Sequence, residues 1–282
     1  PRPTKPDPVR KTINKIFAPG RPTSKPPRTM PLRVETPTGH AGHRIVLYGP
    51  GGIGKTTLAD LAPRPIASFD LDDSLGVLGL PNTRRVAGVH NWAEMIATLG
   101  GEGWGKIKTI VIDTGTRAEE WDVAWTLANV PHEKGQRVTR IEDYGYGKGY
   151  QFVYETYLHL LNLLDQHAQA GRHVIVICHD CVTTVPNPQG EDWQRYEPRL
   201  QSPASGKASI RLRVREWADH LLFLGYDVNV TKGKATGSGT RTLYPVEMPH
   251  CMAKSRRLTE PMPIIEGDDA IWQALFSDQK ES

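Results

Sequence analysis

Short apolar runs alternate with longer amphipathic stretches along most of the chain. HRIVLY (43–48), PIASFDLDD (65–73), KIKTIVIDT (106–114), RHVIVICHD (172–180) and DHLLFLGYDVNV (219–230) each read as a strand, the central ones apolar enough for burial on both faces. RRVAGV (84–89) reads as an edge strand. Between them, KTTLADLA (55–62), WAEMIATL (92–99), AEEWDVAWTLANV (118–130) and YQFVYETYLHLLNLLDQHAQAG (150–171) read as helices. In the last of these, Phe152, Tyr154, Tyr157, Leu160, Leu161 and Leu164 form a core-facing stripe. Strands alternating with helices predict an α/β fold with a mainly parallel central sheet flanked by helices. A basic helix, ASIRLRVREWA (208–218), leads into β-rich sequence with a glycine turn, KGKATGSGT (232–240), which predicts a C-terminal β-hairpin extension. A short helix in EGDDAIWQALF (266–276) closes the pattern.

Two polar stretches interrupt it. Residues 131–149 have no regular period and mix Lys134, Arg137, Arg140 and Lys148 with Tyr144, Tyr146 and, just beyond, Tyr150. Cations interleaved with aromatics suit a single-stranded nucleic acid, whose phosphates need charge and whose bases need a face to stack on; an ordinary surface loop is the alternative. Residues 182–207 carry a turn at NPQG and predict a hairpin.

Charge sharpens the division of the chain. The 282 residues carry a formal net charge of +4, yet nine of the 35 Lys/Arg and only two of the 31 Asp/Glu lie in 1–43, so the remainder is slightly acidic. That segment is rich in proline and poor in apolar residues, which predicts a flexible basic arm with a short helix in PVRKTINKIF at most. The expected organisation is an arm over 1–43, a core over 44–265, and a C-terminal helix and tail over 266–282. No apolar run approaches the ~18 residues of a membrane span. Three cysteines are too few for a disulfide framework, and together these features lead to the expectation of a cytoplasmic protein with no membrane partner. CHDC (178–181) closes a strand, unlike a redox CxxC at a helix start, and lacks ligands for a zinc site, so Cys178 and Cys181 read as structural.

The chemistry is concentrated in GPGGIGKTT. Gly49, Pro50, Gly51, Gly52, Ile53, Gly54, Lys55, Thr56 and Thr57 satisfy the P-loop pattern between a strand and a helix, where backbone N–H groups and a helix N-terminus cradle phosphates. Lys55 supplies a point charge and Thr56 a hydroxyl ligand for Mg²⁺. Asp113, at the end of the third buried strand, matches a Walker B carboxylate, and His179 ends the next strand beside the same phosphate site. Asp72 and Asp73 follow the second strand in FDLDD, two and three residues past Asp70. A Glu directly after the Walker B Asp, as in AAA+ machines, is replaced by Thr114.

The motifs GPGGIGKTT, SFDLDD, TIVIDT, YGYGKGY, VIVICHD, YEPRL and AKSRRLTEP together resemble the RecA-like ATPases of phage recombination, the Sak-four annealing group, over residues 44–265. The resemblance implies a RecA-like P-loop NTPase core using ATP and Mg²⁺, with Thr56 and Asp113 as metal ligands and His179 as phosphate sensor. Asp72, where the family usually has Glu, would polarise the attacking water, with Asp73 as a substitute. The stretches 131–149 and 182–207 would face single-stranded DNA. Lys254 with Arg256 or Arg257 would reach the γ-phosphate of a neighbouring subunit in a ring or filament, and a single-strand-binding protein is a further expected partner. Two rival classes stay open at this level: a nucleotide switch or scaffold with negligible hydrolysis, and a P-loop kinase.

Overall fold

The computed structural model describes residues 42–204, 207–231 and 234–277, together with Leu32 and Val34. The arm expected over 1–43, with its helix in PVRKTINKIF, otherwise lies outside the described residues. Strands β1 (Arg44–Tyr48), β2 (Ile66–Asp70), β3 (Thr83–Arg85), β4 (Thr109–Asp113), β5 (His173–Cys178), β8 (His220–Thr231), β9 (Lys234–Tyr244), β10 (Lys254–Ser255) and β11 (Met262–Pro263) build one sheet. Its order is β11-β9-β8-β1-β5-β4-β2-β3, with β10 paired to β8. The six strands from β8 to β3 are parallel; β9 and β10 run antiparallel to β8. This is the expected α/β plan, a mainly parallel central sheet flanked by helices with a C-terminal hairpin.

The helices are α1 (Lys55–Ala59), α2 (Leu75–Leu78), α3 (Trp92–Leu99), α4 (Gly115–Asn129), α5 (Lys148–Gln169), α6 (Ile210–Trp217) and α7 (Ala270–Phe276). Apolar residues of α3 and α5 cover one face of the sheet, meeting Val46, Phe69, Ile110, Ile112, Val174 and Val176. Those of α1 and α7 cover the other, meeting Ile45, Leu47, Val111, Ile175 and Ile177. Alternate residues of one strand thus serve two cores, which is why the central strands read as continuous apolar runs. The C-terminal helix is part of this second layer: Trp272 is buried and its indole N–H donates to Leu58 O at 2.8 Å. Among the described residues no helix is long and apolar enough to cross a membrane.

The P-loop helix is shorter than the sequence predicts. α1 stops at Ala59 because the buried Asp60 turns to a neighbouring segment, accepting from Asn82 N–H, Asn82 Nδ2 and Thr83 Oγ1 at 2.6 to 3.1 Å, and Pro63 follows. The predicted hairpin over 182–207 is β6 (Asp180–Val185) paired with β7 (Trp193–Pro198).

Candidate active site

Strand register sets the site. Tyr48 lies opposite Cys178, Ile177 opposite Asp113, and Asp113 opposite Asp70, so four consecutive strand ends open at one level. β5 stands between the P-loop strand β1 and the Walker B strand β4. This arrangement drops His179 between the P-loop and Asp113, at the crevice where parallel sheets bind ligands.

The chain leaves β1 through Gly49, where a Cβ would sit 2.2 Å from Leu224 O, so only glycine passes there. Gly51 and Gly52 face open space. Gly54, at φ 100°, is the N-cap of α1. Lys55 Nζ donates to Gly49 O at 2.7 Å and Pro50 O at 2.8 Å, which holds the ammonium over the turn. Burial lowers its pKa, and Asp180 and Asp113 oppose that shift. Beneath the turn, Thr56 Oγ1 donates to Asp113 Oδ2 at 2.7 Å. Burial pushes Asp113 up to about 6; Asp72 and Asp70 add repulsion, while the Thr56 bond and Lys55 favour the carboxylate.

The three aspartates at and just after the end of β2 separate by their contacts. Asp70 accepts from the Ser74 and Leu75 N–H groups at 2.8 and 3.2 Å and pairs with Arg85, so it fixes the turn into α2. Asp72 accepts from Thr114 Oγ1 at 3.1 Å and lies 3.8 Å from His179 Nε2. Asp73, at φ 56°, turns to Arg85 at 2.7 Å with its side chain 82% exposed. His179 has its pKa lowered by partial burial and by Lys55 and Arg199, with Asp72 and Asp180 opposing, which favours the neutral imidazole.

These groups line a cleft of about 510 Å³, with Val77 and Leu78 of α2 as exposed apolar residues on its wall. The residues present fit a magnesium nucleoside triphosphate. A hydroxyl and a carboxylate are the hard oxygen donors Mg²⁺ takes, the open glycines and Lys55 suit a phosphate chain, and the apolar wall suits a base.

Several residues at the cleft carry no signal in the local sequence pattern. Thr114, legible only as a missing Glu, both caps α4 through Arg117 N–H at 3.0 Å and orients Asp72. Arg241 crosses from β9 to donate to Ile53 O at 3.0 Å, against Gly54. Arg85 on β3 and Arg199 after β7 likewise arrive from distant segments; only the strand order brings them in.

Lys254, Arg256 and Arg257 are not brought to this cleft. Lys254 pairs with Leu221 and Ser255 with His220, which lies beside Ile45 near the start of β1. Arg256 Nε reaches Asp219 at 3.2 Å with its side chain 72% exposed. Arg257 Nη1 donates to Ser277 O at 2.7 Å, and Lys254 Nζ to Glu216 O at 3.2 Å. The start and end of β1 are separated by about 13 Å of strand at ~3.3 Å per residue, so the triplet faces away from its own P-loop.

The two loops also divide. Among the tyrosines of the first, Tyr144 is buried and donates to Val130 O at 2.6 Å, so it belongs to the core and not to a binding surface. Tyr150 donates to Glu142 at 2.6 Å. Tyr146, at φ 49°, is fully exposed. Glu133 is paired with Lys148, and Asp143 accepts from Thr139 and Arg140 N–H groups, whereas Lys134, Arg137 and Arg140 are exposed. The β6–β7 hairpin exposes Val182, Trp193 and Tyr196. Cys178 is buried and its thiol is pushed up to about 12, while Cys181 is half-buried; among the described residues no group of three or more His, Cys, Asp or Glu could hold a metal ion.

No curated protein matches the sequence. Among solved structures, the chain is similar to the KaiC-like protein PH0186 from the hyperthermophilic archaeon Pyrococcus horikoshii OT3, at 14% identity and a TM-score of 0.40, covering 79% of this chain and 85% of that one. It is similar to the RadB recombinase at 15% identity and a TM-score of 0.39, covering 73% and 81%. It is similar to the flagellar accessory protein FlaH from Methanocaldococcus jannaschii at 12% identity and a TM-score of 0.33, covering 72% and 77%. A family model described as an AAA domain matches residues 41–257. That match begins just ahead of β1 and ends on Arg257, taking in the whole cleft, and the chain belongs to this AAA domain family.

Proposed function

We propose that the protein is an ATPase that binds single-stranded DNA, hydrolyses ATP at interfaces between its own subunits, and serves phage-type recombination or annealing. The observation that carries the ATPase part is the Thr56–Asp113 hydrogen bond beneath the P-loop, with Asp72 and His179 on the same sheet edge. When bound, Mg²⁺ would be held by Thr56 and Asp113 and would neutralise charge developing on the β–γ bridge. Lys55 and the glycine N–H groups orient the phosphates. Asp72, which accepts from Thr114 Oγ1, would take a proton from a water molecule, and His179 would donate a hydrogen bond to the terminal phosphate; the Thr114 contact and the lowered pKa of His179 support these roles.

The DNA part is supported by exposed Lys134, Arg137 and Arg140 beside the exposed ring of Tyr146, a set with charge for phosphates and a face for a base. The interface part is supported by the triplet Lys254, Arg256 and Arg257, which points away from its own cleft. A single-strand-binding protein is the expected helper. The test is phosphate release with and without single-stranded DNA at fixed salt. DNA-stimulated turnover supports the reading, and turnover indifferent to DNA, with no DNA bound at low salt, contradicts its DNA part.

A second reading, a nucleotide switch with negligible hydrolysis, is favoured by one observation. Asp72 is a methylene shorter than the Glu of the proteins it resembles, and Thr114 already occupies its Oδ2. Tight ATP binding without phosphate release identifies it.

A further inference from the structure

We propose that Thr116 is a positioning residue that locks His179 of the phosphate site to the foot of the β6–β7 hairpin, so that the two move as one body. The inference rests on the proposed ATP reading of the cleft and adds a residue to it.

The hydrogen bonds define the lock. Thr116 Oγ1 accepts from His179 N–H at 3.1 Å and donates its own proton to Arg199 O at 3.2 Å. Arg199 N–H returns to His179 O at 2.9 Å. Two segments twenty positions apart are therefore joined main chain to main chain, once directly and once through a single hydroxyl. Three residues along α4, Glu119 Oε2 accepts from Gln201 N–H at 2.7 Å. The Gln201 side-chain Nε2 donates to Tyr150 O at 2.9 Å and Ala208 O at 2.8 Å, and Arg211 donates to Leu200 O at 3.1 Å. The segment leaving the hairpin is thus bound at Arg199 and Gln201 to the start of the helix that follows β4, and at Leu200 to α6.

Other roles for this hydroxyl do not account for it. The helix is capped by Thr114, so Thr116 is not its cap, and Thr116 is buried away from water. The turn has no room to slide: a Cβ on Gly115 would sit 2.5 Å from Val176 Cγ1 on β5. A displacement of the hairpin foot must then pull on the His179 main chain, and a change at His179 must press on the hairpin, because coupling between two sites is reciprocal.

The experiment uses the full chain with Thr116→Val, which keeps the shape and loses both hydrogen bonds, and Thr116→Ser, which keeps the hydroxyl. The expected result for Thr116→Val is at least a tenfold fall in kcat, with KM and the affinity for a fluorescent ATP analogue within twofold of wild type. Thr116→Ser should stay within twofold throughout. Amide exchange supplies the independent readout. Mg·ATPγS should slow exchange over 180–199 in wild type and in Thr116→Ser, but not in Thr116→Val. Wild-type turnover in Thr116→Val, or the same nucleotide-dependent protection, overturns the proposal. Should valine prevent folding at this packed position, Thr116→Ala adds no bulk and carries the same expectations. A wild type that binds ATPγS without hydrolysing it leaves the exchange comparison to decide. A wild type that binds no nucleotide overturns the underlying reading and this proposal with it, and the binding measurement alone reveals that case.

Discussion

The side chains around the cleft differ in what holds them, and this separates their expected phenotypes. Asp72 touches Thr114 and faces His179, whereas Asp73 is exposed and engaged with Arg85. Asp72→Asn is therefore expected to lower kcat by about 10² to 10⁴ with little change in nucleotide affinity, the range for loss of a general base. Asp73→Asn should stay near wild type; steady-state phosphate release and nucleotide binding on the two variants check this, and the reverse result moves the catalytic carboxylate by one residue. Asp113 adds a pH dependence. Its folded pKa is raised to about 6, so the carboxylate a metal requires is present above that value and lost below it. Affinity for Mg·ATP should fall as pH drops from 7 to 5, while affinity for metal-free nucleotide should not fall in parallel.

At the scale of elements, α4 carries one buried carboxyl, Asp122, and a half-buried one, Glu119. Asp122 is fully buried, with Oδ2 lacking a protein partner and Oδ1 3.5 Å from Thr126 Oγ1. Burial raises its pKa well above the ordinary value, with Glu119 adding repulsion. The sign follows from linkage: the protonated group is at home in the fold, so its contribution is fully present below the unfolded pKa near 3.8 and is lost as pH rises toward the folded one. Asp122→Asn, which does not titrate, should stabilise the protein by about 1 kcal/mol at pH 8 and less at pH 5, on the scale of one buried polar group. Thermal melts at the two pH values check it. Elements of this kind were legible in the sequence wherever a local period decides structure. The central strands, α3, α5 and the P-loop fall where the apolar runs and glycine spacing put them. Misreadings arise where tertiary contacts override that pattern. α1 ends early because Asp60 bonds to Asn82 and Thr83, and Tyr144 is core because its hydroxyl reaches Val130. Arg241, Arg199 and Arg85 escaped detection because only sheet order carries them to the cleft.

For the whole molecule, the cleft and the basic triplet lie at opposite ends of β1, a geometry suited to stacking subunits head to tail. Lys55→Ala, defective in its own cleft, mixed with Arg256→Ala, defective as donor, should regain activity if the triplet acts on a neighbour. Mixed oligomers without recovery would remove it from catalysis. Basal energetics favour a clear answer, since a cation supplied in trans can be worth about 10³ to 10⁵ in rate and an exposed ion pair such as Arg256–Asp219 only about 1 kcal/mol or less. All of this stands on one claim, that the cleft under Gly49 to Thr57 hydrolyses ATP. Phosphate release by the wild type and by folded Lys55→Ala, measured side by side with Mg²⁺, tests it most directly. Release by the wild type should depend on Mg²⁺ and fall to background in the variant; equal release by both contradicts hydrolysis at this cleft.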